Sequence, residues 1–145
     1  EADVCFIGGR TPDERRDASL RAKAVAETMG KTIKTYAMCT VVHGDTDAKA
    51  AAMVEHYKDG ADIGAILAML ASWGVPADKL DSVAKQQGAF MTHTVVGSPK
   101  TCGEQIQEYI DYCQLDGLML IFPDYVEGLT MFGADILPGL RAVYS

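Results

Sequence analysis

The sequence predicts an α/β fold built on a parallel sheet. Short apolar runs rich in β-branched and aromatic residues occur at 3–7, 34–42 and 117–122, segments with helix caps lie between them, and Gly, Pro or Asp ends each run. Strands alternating with helices imply right-handed crossovers, and the sheet is either doubly wound or closed into a barrel.

The first strand, Asp3-Val4-Cys5-Phe6-Ile7, stops at Gly8-Gly9, as a buried parallel strand does on entering a tight turn. Thr11-Pro12-Asp13-Glu14 then supplies an N-cap, a Pro at the first helical position and acidic groups at the positive end of the helix dipole. The helix is expected to reach about Met29, with Gly30 as its C-terminal cap. The second strand follows and completes a β-α-β unit. His43-Gly44-Asp45 makes a turn, Thr46-Asp47 caps a helix over 48–58 with Ala52, Val54 and Tyr57 among its candidate buried positions, and Gly60 closes it. Two short helices at 63–73 and 77–87 flank Gly74-Val75-Pro76, so residues 46–97 form a helical insertion that ends in a loop or extended segment at 88–97. Ser98-Pro99 starts a helix to about Cys113, and Gly117 to Phe122 forms the third strand, ended by Pro123-Asp124. A last helix over 125–144 carries Val126, Leu129, Phe132, Ile136, Leu140 and Val143 at helical spacing, with Pro138 as a candidate kink.

The chain of 145 residues can bury an ordinary core. Its net charge is −7 and its basic residues are scattered, which excludes a nucleic-acid or anionic-membrane surface and leaves small molecules and protein surfaces as partners. Cys5, Cys39, Cys102 and Cys113 form no C-x-x-C pair, and three sit in apolar runs, so buried free thiols and a reducing cytoplasm are expected. No apolar run approaches the roughly 20 residues that span a bilayer. The chain begins without Met and enters a strand at once, and three strands alone leave two unpaired edges. The expectation is a piece of a longer protein, and one that associates when isolated.

Motifs with chemistry are scarce. Gly8-Gly9 matches neither G-x-G-x-x-G nor G-x-x-x-x-G-K-[ST]. His43 has Asp45 and Asp47 nearby, but His56 and His93 are not spaced as co-ligands, so a surface turn with a capping Asp is expected and no metal. Ser98 reads as a helix cap rather than a nucleophile. Position says more, because parallel barrels place their chemistry at the C-terminal ends of strands. Period-two alternation puts Met38, Thr40 and Val42 on one face of the second strand and Cys39, Val41 and His43 on the other. Periodicity leaves open which face is the barrel interior, and whether Met38 and Thr40 fill it or touch a ligand. Asp124 follows a buried strand, and is either a site residue or the cap of the last helix.

Four segments carry a family resemblance: Val41-Val42-His43-Gly44-Asp45-Thr46-Asp47-Ala48, Glu55-His56-Tyr57-Lys58-Asp59-Gly60-Ala61-Asp62, Val96-Gly97-Ser98-Pro99-Lys100-Thr101 and Phe122-Pro123-Asp124-Tyr125-Val126-Glu127-Gly128. The chain resembles the C-terminal part of bacterial luciferase-like flavin-dependent monooxygenases, in their pyrimidine monooxygenase branch. The second segment is the most branch-specific. The resemblance implies a partial (β/α)8 TIM barrel, formed by strands six, seven and eight of one barrel domain with the helical insertion. It also implies an enzyme that uses reduced flavin mononucleotide from a separate flavin reductase, together with oxygen, to oxidise a small organic, N-heterocyclic substrate. Most of the flavin site is then expected on the earlier strands, with a homo-oligomer as the assembly.

Related alkanesulfonate monooxygenases carry an Arg and a His on strand seven, where this chain has Met38 and Thr40, and an aromatic after strand eight, where it has Pro123. A neutral substrate fits better than a sulfonate. Met38, Thr40, Phe122 and Asp124 are the substrate- or cofactor-proximal candidates, with Thr40, Phe122 and Asp124 expected on one surface; no catalytic residue is assigned. The insertion and residues 88–97 are candidates for a lid. Two other readings are a flavin-free barrel-like domain with a structural role, and a doubly wound flavodoxin-like domain, against which the lack of a phosphate loop or acidic cluster after the first strand weighs.

Overall fold

The computed structural model describes residues 2–87 and 90–144. In chain order it contains β1 (Val4–Phe6), α1 (Pro12–Thr28), β2 (Lys34–His43), α2 (Asp47–Asp59), α3 (Ile63–Ser72), a 3₁₀ turn (Ala77–Lys79) leading into α4 (Leu80–Gln87), β3 (His93–Gly97), α5 (Pro99–Cys113), β4 (Gly117–Ile121), α6 (Tyr125–Met131), a π-helical turn (Phe132–Ile136) and α7 (Leu137–Tyr144). The expected caps form: the hydroxyls of Thr11, Thr46 and Ser98 accept the N–H groups of Glu14, Lys49 and Thr101. Gly30 takes φ +66° just past the end of α1.

All pairings are parallel and all involve β2. Tyr36 pairs with both Phe6 and Gly117, so β1 and β4 lie on opposite edges; Cys39 and Thr40 pair with both β3 and β4, so β3 also lies opposite β4. β1 and β3 therefore follow one another along a single edge of β2. Of residues 88–97, expected as a loop or extended segment, 93–97 take the extended form as a strand of the sheet, and the pairing with β2 fixes them there rather than in a lid. Gly88 and Ala89 lie outside the described residues.

The pleat divides the sheet into two unlike faces. Ile7, Ala37, Cys39, Val41, Val95 and Phe122 enter one core with Cys102, Ile106, Tyr109 and Cys113 of α5 and with Phe132 and Ile136. The opposite face carries Val4, Phe6, Met38 and Met119, all exposed. A doubly wound sheet would be covered on both faces, so the doubly wound reading is corrected: this is part of a β/α barrel, with helices outside and the open face inside. Cys39, Cys102 and Cys113 are buried thiols, as expected, and Cys5 is half-buried. No helix among the described residues is long and apolar enough to cross a membrane.

The last helix differs from expectation. Pro138 has no N–H to return to the preceding turn, and the chain accommodates it by opening a π turn in which Leu137 N–H reaches back to the Phe132 carbonyl. The stripe facing the core is Gly128, Phe132 and Ile136, while Val126 and Leu129 are exposed. Of the expected stripe, Phe132 and Ile136 enter the core and Leu140 packs against it, whereas Val126, Leu129 and Val143 are exposed; the first inward position is a glycine, since a Cβ at Gly128 would come within 2.6 Å of Phe122. On α2 the buried residue is Ala50, and Ala52, expected inside, faces out.

Two outcomes follow from this packing. In the full-length chain, Phe132→Ala should cost about 3–5 kcal/mol in chemical denaturation, whereas Leu129→Ala, 57% exposed, should stay within about 0.5 kcal/mol of wild type. Residues 1–145 expressed alone should associate through the open apolar face. Sedimentation over a concentration series checks this; a concentration-independent monomer with a cooperative urea transition contradicts it.

Candidate functional site

β2, β3 and β4 run in parallel and end near one another at His43, Gly97 and Ile121, the end of a β/α fold where loops converge on ligands. Two surfaces meet these ends.

The first is the open face. Phe6 packs edge-on against Tyr36, with ring centres 6.0 Å apart, and the Tyr36 ring covers Gly117 so closely that a Cβ there would lie 2.7 Å from it. Met38 and Met119 are register partners beyond it. At the level where β4 ends and β3 begins this apolar floor becomes hydroxyl-bearing. Thr40 is 3% exposed and its hydroxyl shares a 2.6 Å hydrogen bond with that of Thr92, while the hydroxyl of Thr94, register partner of Thr40, donates to the Thr92 carbonyl at 3.2 Å. The strand residues of this face from Tyr36 to Val42 and from Gly117 to Ile121 include no charged side chain. Such a surface suits a flat, neutral molecule with one hydrogen-bonding edge.

The second is a cleft of about 180 Å³ between the first turns of α2 and α6, walled by His43, Lys49, Tyr57, Phe122, Asp124 and Glu127. Asp45 and Lys49 form an ion pair at its mouth, and the lysine holds the Asp45 carboxyl below its usual range. His43, expected in a surface turn, is instead the last residue of β2 and 7% exposed, and its Nδ1 has no hydrogen-bond partner among the described residues. Asp47 does not cap α2, which Thr46 does. Its carboxylate accepts the Ser98 N–H at 2.6 Å, tying α2 to the start of α5. This hydrogen bond, helped by the Thr101 and Ser98 hydroxyls, lowers the Asp47 pKa. The two partners are 51 residues apart, and no local sequence signal marks them.

The four candidate residues divide between these surfaces. Met38 and Thr40 lie on the open face, which settles the alternation that the sequence left open. Phe122 does not join them. Ile121 pairs with Thr40, so the next residue turns to the opposite face, and the Phe122 ring packs against Phe132 at 5.8 Å. Asp124 accepts the N–H groups of Val126 and Glu127, both at 2.9 Å, and is the cap of α6.

No family model matches the chain. It is 29% identical over 147 residues to the pyrimidine monooxygenase RutA of Acinetobacter baylyi, covering 94% of this chain and 40% of the relative. Its identity to the RutA of Stutzerimonas stutzeri is 32% over 147 residues, covering 97% of this chain and 41% of that protein. Among solved structures, DmoA from Hyphomicrobium sulfonivorans superposes with a TM-score of 0.80 at 21% identity, over 98% of this chain and 38% of its own. The long-chain alkane monooxygenase LadA superposes at 0.82 and 18% identity, over 98% and 37%. The chain spans about two fifths of the length of the curated relatives it matches. The sequence matches are thus to proteins named pyrimidine monooxygenases, and the fold is that of part of the DmoA and LadA chains.

Two substitutions test the carboxylates. Asp124→Ala should destabilise the full-length chain by about 0.5–2 kcal/mol, as loss of a cap does, and Asp124→Asn should recover most of that. The depressed pKa of Asp47 contributes stability above the unfolded value of 3.8, and this contribution is lost as pH falls through the lower folded value. Asp47→Asn should therefore be less stable than wild type at neutral pH, with the gap closing below pH 3.8 in acid-unfolding curves.

Proposed function

We propose that this chain is the C-terminal portion of a single β/α-barrel domain in a flavin mononucleotide-dependent monooxygenase, which uses reduced flavin and oxygen to oxidise a small, neutral, N-heterocyclic substrate. The observation that carries the reading is the open face: apolar from Phe6 to Met119, uncharged from Tyr36 to Val42 on β2 and along β4, and carrying the Thr40, Thr92 and Thr94 hydroxyls at the level where β4 ends and β3 begins. That surface fits one side of a flavin or of a substrate stacked on it. The names of the sequence relatives support the reaction class and a pyrimidine as the first substrate to try. They are enzyme names, and leave the flavin-free structural reading without support. Reduced flavin arrives from a separate reductase, the assembly is a homo-oligomer, and the unpaired cysteines suit a cytoplasmic setting.

When bound, the flavin supplies the activation of oxygen, a reaction that side chains alone do not perform. The residues of this chain bind and orient. Tyr36, Met38 and Met119 provide an apolar floor that excludes water from the reacting groups, and the Thr40–Thr92 pair offers a hydroxyl to a polar edge of the ligand. With Met38 and Thr40 at these two positions of β2, neither an ionic contact to a sulfonate nor proton transfer by an imidazole is available from them. Phe122 and Asp124 act indirectly here, by fixing α6 against the end of β4.

The test uses the full-length protein with reduced flavin mononucleotide, oxygen and a panel of neutral N-heterocycles, pyrimidines first. Thr40→Val removes a hydroxyl whose neutral hydrogen bond is worth about 1 kcal/mol, so product formed per flavin oxidised should fall by about five-fold, beyond the small drop in thermal midpoint that loss of the Thr40–Thr92 hydrogen bond brings. Wild-type protein that oxidises no member of the panel overturns the proposal. Unchanged coupling in Thr40→Val removes the β2 hydroxyl from it.

A further inference from the structure

α1 carries a charge into the interior. Arg15 is 8% exposed, and the chain after β1 folds over its stem: Gly9 sits at φ +148°, with a Cβ there 2.9 Å from Arg15 Cγ, a place closed to side chains by conformation and by space. The guanidinium carbon lies 5.8 Å from the centre of the Tyr109 ring, and His93 stacks on that ring at 3.8 Å. No carboxylate pairs with Arg15 among the described residues. Of the acidic groups nearest in sequence, Glu14 is engaged with Arg10, Asp13 with the Tyr112 hydroxyl, and Asp17 is exposed. Burying a cation without a counter-charge is costly, and a ring face offsets only part of the cost.

The Arg15 side chain lines a cleft of about 290 Å³ at the place where β1 leaves the edge of β2 and β3 takes it over. Gly9, Arg10, Thr92, His93 and Thr94 contribute to its wall, and no acidic side chain does. A larger cleft adjoins it at Pro12, His93 and Thr94 and reaches Tyr109, whose buried hydroxyl has no hydrogen-bond partner among the described residues. Burial, and next the charge of Arg15, lower the His93 pKa to about 4, so at neutral pH the imidazole is uncharged. The cleft thus presents the guanidinium of a largely buried arginine with no carboxylate partner among the described residues, two threonine hydroxyls and a neutral imidazole, while the adjoining larger cleft carries Asp13 and Glu108.

We propose that this cleft is a binding site for a small oxyanion, a carboxylate or phosphate group, with Arg15 as its counter-ion. The cleft shares Thr92 and Thr94 with the open face, but its counter-ion, Arg15, has no part in the flavin reading, so the proposal survives that reading's failure. A guanidinium holds either group through paired N–H donors, and the Thr94 hydroxyl can turn from the Thr92 carbonyl to a remaining oxygen.

The experiment titrates the full-length protein with inorganic phosphate and with acetate, each against chloride at equal ionic strength, and follows the thermal midpoint and the heat of binding. The expected result is a saturable rise in midpoint with one or both anions, and the stronger response tells phosphate from carboxylate. Arg15→Gln should weaken that response by at least about tenfold, while being no less stable than wild type without anion because it removes an unpaired buried charge. Should Arg15→Gln fail to fold, Arg15→Lys keeps the charge without the fork and should weaken binding to a similar degree. Absence of a saturable effect from either anion overturns the proposal, as does an equal effect in the Arg15 variants. A wild type indifferent to anions beside a strongly destabilised Arg15→Gln also overturns it, since Arg15 is then neutralised by a carboxylate elsewhere in the full chain.

Discussion

β2 is the constraint on which the rest of this structure depends. It is the one strand that every other described strand pairs with, and both of its edges are in use. A buried polar cluster fixes its start: the Thr35 N–H donates to Asp116 Oδ2 at 2.8 Å, the Thr35 and Ser19 hydroxyls pair at 2.8 Å, and the Ser19 hydroxyl contacts the Gln114 carbonyl at 2.9 Å. Those contacts lock α1 and the α5–β4 turn onto one strand residue, and leave the polar groups of a buried threonine satisfied. At the far end the Gly44 N–H reaches the Gly97 carbonyl. With both ends held, the pleat of β2 decides which side chains meet the helices and which meet the open face.

The sequence made the punctuation of this fold legible, together with the strands that an apolar run marks. Thr11, Thr46 and Ser98 each bring a local hydrogen bond that needs no tertiary partner, and so their caps could be read directly. β3 could not be read as a strand. Its five residues mix two β-branched apolar side chains with His, Thr and Gly, and its stability comes from pairing with a strand some 50 residues earlier in the chain, a tertiary effect that local propensity does not contain. The last helix was legible in part: Phe132, Ile136 and Leu140 were rightly read as inward, but Gly128 concealed the first inward position, and a period of 3.6 holds only while the helix stays α. Of the candidate site, Met38 and Thr40 were correctly placed together by alternation, but which face lay open depended on where α5 packs. Phe122 was assigned to the wrong face because the strand end was taken as a cluster rather than followed residue by residue. Arg15 sits in an Asp-Glu-Arg-Arg-Asp run that looks like any solvated helix surface; only the packing of Tyr109 and Gly9 around it reveals its burial.

The two sides of the sheet divide the electrostatic work. On the open side the strands offer apolar and hydroxyl groups, and a ligand there is held by shape and by a few neutral hydrogen bonds. On the helix side the same sheet shelters a guanidinium. The succession of β1 and β3 along one edge of β2 makes this possible, since the change of strand leaves room for a side chain from α1 that an unbroken edge would fill with backbone.

The π turn at Phe132–Ile136 has a bearing on how this chain can vary in length. A turn closed from residue 137 back to 132 holds one residue more than an α-turn, so it is the form an ordinary helix takes after absorbing a single-residue insertion. Deleting one residue from the turn would restore a regular helix and bring the Pro138 ring against a carbonyl of the preceding turn, while replacing Pro138 alone would leave an opened turn with nothing to accommodate. The extra residue and the proline form a coupled pair. Homologues should carry both or neither, and a chain caught with one of them would be under selection to acquire or discard the other.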